Sequence, residues 1–149
     1  PVAYPVYVSV FAVPFLVLWL VRDAAQVRRW EREMAAAVAI GGAIFVVFPA
    51  QLGYAPVHAG AWQAPAELIR TIAGRHNLLP SLHVALTIVT LRAVWPWADR
   101  RRRAWLRGWF VLLLASVLLT HQHHVADLLA GALLGWALGG RLGRSTRRS

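Results

Sequence analysis

Two histidines stand in contexts that suit phosphoryl and proton chemistry. His123 precedes Asp127 by one helical turn in the run Gln122-His123-His124-Val125-Ala126-Asp127-Leu128. On a helix this spacing places both side chains on one face. A carboxylate there can accept one ring N–H, fix the tautomer and leave the other nitrogen nucleophilic. His83 closes a second run, Leu79-Pro80-Ser81-Leu82-His83, at the start of an apolar stretch. Pro80 suits a first helical position and Ser81 a capping role. The free N–H groups and dipole of such a helix start favour an anion such as phosphate. An imidazole in that first turn can pass a proton to a leaving group. Each motif also has a plainer reading: Ser81 as a cap alone, and His123 with Asp127 as a buried pair that locks two helices.

The chain that positions these residues is 149 residues long, 58% hydrophobic and only 15% charged, with a mean hydropathy of +0.52. Soluble domains carry about 25% charged residues. The apolar residues fall in blocks: Pro1–Val21, with Pro5 and Pro14 as kink points, Met34–Phe48, Pro80–Trp95, Ala104–Thr120 and His123–Gly140. The first block alone would reach roughly 30 Å as a helix, one bilayer core. Between the blocks lie a charged connector, Arg22–Glu33, a longer connector over 50–79, the arginine run Arg100–Arg103 and a turn at His121–Gln122. Within the longer connector Ala64–Ala73 reads as a short interfacial helix, and Arg141–Ser149 reads as a frayed basic cytoplasmic tail. The expected fold is all-α, a single polytopic transmembrane helix bundle of about five spans. No initiator Met or basic leader precedes the first block, so no signal peptide is read. Cysteine is absent, which excludes disulfides and thiolate metal sites.

Charge gives the bundle a side. The 16 basic residues are all arginine, and the net charge is +10. The arginines sit between apolar blocks, which points to membrane topology and not to a nucleic-acid partner. With the connectors assigned alternately to two sides, every arginine except Arg70 and Arg75 falls on one of them. The positive-inside rule makes that side cytoplasmic. Trp19, Trp30, Trp95, Trp97, Trp105 and Trp109 flank the same ends, as an aromatic belt would. His58, His76, His83, His121, His123 and His124 all fall toward the other side. An Ala- and Arg-rich, Lys-free composition fits a GC-rich bacterial genome, so the membrane expected is a bacterial inner membrane with the histidines facing outward.

Below Asp127 the same helical face continues as Gly131, Gly135 and Gly139. Small residues at this spacing let membrane helices approach closely, so the His/Asp face is expected to point into the bundle. An intramembrane Asp is costly and is a functional candidate by default.

These residues resemble the type-2 phosphatidic acid phosphatase superfamily, whose pattern is K-x6-R-P, then P-S-G-H, then S-R-x5-H-x3-D. Pro80-Ser81-Leu82-His83 is similar to the second motif, and Ser116-Val117, five residues, His123 and Asp127 to the third. The wording Pro80-Ser81-Leu82-His83-Val84-Ala85 with Gln122-His123-His124-Val125-Ala126-Asp127-Leu128-Leu129-Ala130-Gly131 is closer to the inositol-phosphorylceramide-synthase-like branch. The family usually has one more membrane helix than the blocks counted here, so its first helix is expected to be missing. The departures concern the cationic phosphate clamp. No K-x6-R-P occurs, Leu82 stands for Gly, and Val117 stands for the third-motif Arg. Arg75 is the nearest local substitute and Arg70 the second, with His76, His121 and His124 as further donors to substrate.

The resemblance implies that His123 attacks phosphorus, Asp127 orients it and His83 protonates the departing oxygen. Ser81 and Arg75 would steady the phosphoryl oxygens. The implied substrate is a lipid phosphate held among membrane lipids, with water or an alcohol as acceptor and no metal or other cofactor. A rival from another class is a histidine-rich metal-binding membrane protein or transporter, with His83, His121, His123 and His124 as ligands. A third is a catalytically inactive structural homologue, motivated by the missing clamp.

Overall fold

The computed structural model describes residues 3–49, 60–64, 67, 71, 79–120 and 124–145, with backbone alone from 140 onward. Its elements are helices α1 (Ala3–Val8), α2 (Phe15–Leu20), α3 (Ala24–Val47), α4 (Leu82–Val94), α5 (Arg100–Leu119) and α6 (Val125–Ser145). Short 3-10 turns lie at Ser9–Ala12, Gly60–Trp62 and Trp95–Trp97. No strand occurs among the described residues, so the fold is all-α, as expected.

The helix bounds depart from the apolar blocks for identifiable reasons. The first block is divided into α1, a 3-10 turn and α2, with Pro14 as the residue that caps α2. The charged connector Arg22–Glu33 is not a loop: α3 starts at Ala24 and runs through it. Asp23 starts that helix by accepting from the Ala25 N–H at 2.9 Å, and Arg29 pairs with Glu33 one turn on at 2.8 Å. Capping and i,i+4 pairing carry a helix through charge that patterning alone reads as a break. α5 likewise begins inside the arginine run. Asp99 accepts from the Arg102 N–H at 2.8 Å, which offsets cations at a helix N-terminus. α6 continues to Ser145, into what the sequence suggests is a frayed tail.

No helix among the described residues is long and apolar enough to cross a membrane. The count of about five full spans is therefore not met. Prolines shorten the first block, and α3 and α5 spend their first turns on charged residues.

Packing centres on α4, which lies most extensively against α6 and next against α3, with α1 packed on α5. Gly131, Gly135 and Gly139 make the α4–α6 approach possible. A Cβ at Gly131 would strike the Ser81 carbonyl oxygen, and one at Gly135 would stand 2.6 Å from the Ala85 carbonyl oxygen. Among the described residues the larger apolar clusters are Tyr7, Val10, Val84, Leu113, Val117 and Leu128, and Val17, Val21, Ala93, Val94, Ala98 and Leu106. Glu33, Ser81, Thr87, Thr90, Ser116, Thr120 and Asp127 are also buried. Most of these hydroxyls bond the main chain of their own helix: Thr87 to the His83 carbonyl, Ser116 to Leu113, Thr120 to Ser116. Thr90 instead receives the Trp30 indole N–H at 3.1 Å. The outside carries the opposite chemistry, with Phe15, Leu18, Trp19, Val46, Leu119, Leu129, Leu133 and Trp136 all exposed.

Candidate active site

The start of α4 and the start of α6 meet at one end of the bundle. The Ser81 N–H donates to the Asp127 carbonyl oxygen at 3.0 Å, a backbone bond between the two helix starts. Ser81 has extended geometry there (φ −64°, ψ 104°), and α4 begins at Leu82. Pro80 therefore precedes the helix by two residues and does not occupy its first position. Ser81 also makes no side-chain capping bond. Its hydroxyl is fully buried and has no hydrogen-bond partner among the described residues. Buried hydroxyls are normally satisfied, so one that is not asks for an explanation in function.

His83 is the second residue of α4 and is half-buried. The Tyr7 hydroxyl lies 3.3 Å from its Nε2. The two rings are tilted at 5.3 Å between centres, and Phe11 meets the imidazole edge-on at 5.9 Å. The first apolar stretch thus supplies two walls of the His83 pocket. Sequence reasoning missed both Tyr7 and Phe11, since a lone aromatic in an apolar stretch carries no local signal.

Asp127 is buried in the first turn of α6, and its Oδ2 accepts from the His124 N–H at 2.8 Å. This is the reach-back half of a capping box, placing a carboxylate at the positive end of the helix dipole. One of its oxygens therefore holds the helix start, a use beyond the one read from the sequence. His124 is half-buried beside it. His123, Arg75 and His76, like His58, Arg70 and His121, lie outside the described residues. The structure thus joins Ser81 and His124 each to Asp127, with His83 two residues beyond Ser81 and against Tyr7.

Two departures from the motif acquire physical content. Leu82 packs on α3 so closely that a Cβ at Gly41 would come within 2.6 Å of its Cδ2, so the larger residue meets a glycine. Val117 has no exposed surface and sits in the apolar cluster with Tyr7 and Val84. That position holds core packing where the motif carries a cation. No group of three His, Asp or Glu side chains able to hold a metal occurs among the described residues.

Among known families, the PAP2 superfamily model matches residues 2–139, nearly the whole chain. The chain belongs to the PAP2 superfamily. Neither the curated proteins nor the solved structures offer a match. Superfamily membership supports a phosphatase-like activity, and so an enzyme.

Proposed function

We propose that this PAP2 protein is a membrane-embedded lipid phosphatase or phosphotransferase that works through a phosphohistidine on the non-cytoplasmic face. The observation that carries the reading is the buried, unpartnered Ser81 hydroxyl at the N-terminus of α4, two residues before His83 and bonded through its own N–H to the Asp127 carbonyl. A phosphoryl oxygen would satisfy that hydroxyl and the helix N–H groups together.

In this mechanism a neutral His123 nitrogen attacks phosphorus, and the P–O bond to the lipid breaks. Asp127 orients His123 and balances the imidazolium that forms. His83 gives its proton to the departing oxygen, then takes one from the acceptor as that acceptor attacks the phosphohistidine. The P–N bond breaks and His123 is regenerated. Water yields inorganic phosphate; an alcohol yields a transferred phosphoryl or headgroup. Arg75, His76 and His124 are the candidate donors to substrate oxygens. The wording of both motifs favours the inositol-phosphorylceramide-synthase-like branch.

Membrane embedding is supported by the inverted distribution of side chains. Exposed large apolar residues run along α2, α3, α5 and α6, while Glu33, Asp127 and the hydroxyls of Ser81, Thr87, Thr90, Ser116 and Thr120 are buried. In water so many exposed large apolar side chains mark an interaction surface; in lipid they are the solvated face. The arginine asymmetry supports a bacterial inner-membrane orientation with His83 and Asp127 outward.

The deciding experiment is a panel of lipid phosphates assayed for free phosphate and for transferred product, with His123→Ala and His83→Ala alongside. Turnover by the wild type that both variants lose supports the reading, and wild-type turnover in both variants would reject it. The buried Val117 favours one alternative, an inactive family member; a wild type inert on every lipid would support that instead.

A further inference from the structure

Toward the end of α4 remote from His83, beside α6, lies a groove of about 440 Å³ lined by Ile88, Leu91, Arg92, Trp95 and Pro96. That volume falls within the roughly 300–1,000 Å³ typical of ligand pockets. The lining starts at Ile88, roughly 7.5 Å along the helix from His83 at about 1.5 Å per residue, and reaches Arg92 at roughly 14 Å, so its cationic end is separate from the candidate active site.

Its walls are apolar and its rim is cationic. Arg92 donates one N–H to the Trp136 carbonyl at 3.0 Å, and its guanidinium packs where a Gly139 side chain would otherwise stand. Arg107 and Arg103 stack over Trp95 at 4.9 and 5.6 Å from its ring centre, and Arg103 also bonds the Trp95 carbonyl at 3.1 Å. The ion pairs among the described residues are Arg29–Glu33 and Arg102–Asp99. Neither involves Arg92, Arg103 or Arg107, so these three charges meet only neutral partners among the described residues. The positive end of the α5 dipole adds to them.

An arginine cluster alone is commonly a solvated face, and an apolar slot alone commonly holds a neutral hydrocarbon. Here both occur on the same few residues. A free anion leaves Ile88 and Leu91 unused, and a neutral lipid leaves three guanidinium charges unbalanced. We infer that the groove binds an anionic membrane phospholipid, its acyl chain along Ile88 and Leu91 and its phosphate against Arg92, with Arg107 and Arg103 beyond. This rests on the membrane reading above but not on the catalytic one. An anionic lipid seated there would tie the end of α4 to the start of α5.

The test uses the full chain, purified in a neutral detergent and examined by native mass spectrometry with phosphatidylglycerol or phosphatidylcholine. Phosphatidylglycerol should be retained in excess, on the order of fivefold per arginine engaged. Arg92→Gln should reduce the excess. So should Ile88→Trp, which narrows the slot and removes no arginine. His83→Ala should leave it unchanged, which separates this site from the candidate active site. Equal retention of the two lipids overturns the inference, as does a wild-type excess in both groove variants. Full competition by inorganic phosphate overturns it too, because the slot would then contribute nothing. Flotation with phosphatidylcholine vesicles separates the two readings. Protein that floats but shows no phosphatidylglycerol excess refutes the groove alone, and protein that floats with no vesicle refutes membrane embedding and the groove together.

Discussion

The Tyr7 hydroxyl stands 3.3 Å from Nε2 of His83, a contact between residues 76 positions apart. A phenol both donates and accepts, so it can stay bonded to the imidazole in either protonation state. With Phe11 on the ring edge, α1 and the turn after it hold the histidine in place. Tyr7 is then a positioning residue for the proposed proton donor. Tyr7→Phe keeps the ring packing and removes only this bond. Its kcat should fall about fivefold, the equivalent of one hydrogen bond of ~1 kcal/mol, with KM little changed. Steady-state kinetics check this. A lower melting temperature with kcat intact would mean that the contact serves the fold alone.

Ser81→Ala tests the orphaned hydroxyl. Removing a buried polar group that lacks a partner relieves a desolvation cost of roughly 1–3 kcal/mol. The variant should therefore melt at the wild-type temperature or above it, while kcat/KM falls by about an order of magnitude for want of a phosphate contact. Calorimetry and kinetics on the same preparation read both. Loss of stability together with activity would show that the hydroxyl has a structural partner.

The glycine face of α6 gives a paired prediction. Gly131→Ala drives a Cβ into the Ser81 carbonyl oxygen, which is backbone and cannot swing away. Overpacking of this kind costs about 1–3 kcal/mol, and here it also displaces Ser81. Stability and turnover should drop together. Gly42 on α3 has open space around its Cα, so Gly42→Ala should be neutral or stabilising by up to ~1 kcal/mol from helix propensity. Thermal melts of the two variants should move in opposite directions or leave Gly42→Ala unchanged.

What the sequence could reveal follows from how local each signal is. Asp127 and Gly131, Gly135 and Gly139 recur at one helical spacing, and that face does turn inward onto α4. The Ser81–His83 run marks a helix start, displaced by two residues because Ser81 itself is extended (ψ 104°), with its N–H turned to the Asp127 carbonyl. The stretch Arg22–Glu33 was hidden because charge reads as a break in an apolar pattern, whereas Asp23 and the Arg29–Glu33 pair make it helical. Tyr7 was hidden for a different reason. Its partner is remote in sequence, and only the packing of α1 against the bundle brings it to His83. The unsatisfied state of Ser81 is likewise a property of assembled helices, since by residue type alone it is a good cap.

Val117 decides how the missing phosphate clamp is understood. The family motif carries an arginine there, which suggests that Val117→Arg would restore a cation to the site. The packing argues otherwise. Val117 is fully enclosed by Tyr7, Val10, Val84, Leu113 and Leu128, with no polar atom in that cluster except the Tyr7 hydroxyl. A guanidinium forced into that volume meets both overpacking and desolvation, a cost of at least ~3 kcal/mol. The expected outcome is a markedly lower melting temperature and no gain in affinity for phosphate or for a lipid phosphate. A variant that keeps its melting temperature and binds phosphate more tightly would show instead that position 117 opens onto the substrate, and that the valine is a lost clamp and not part of the core.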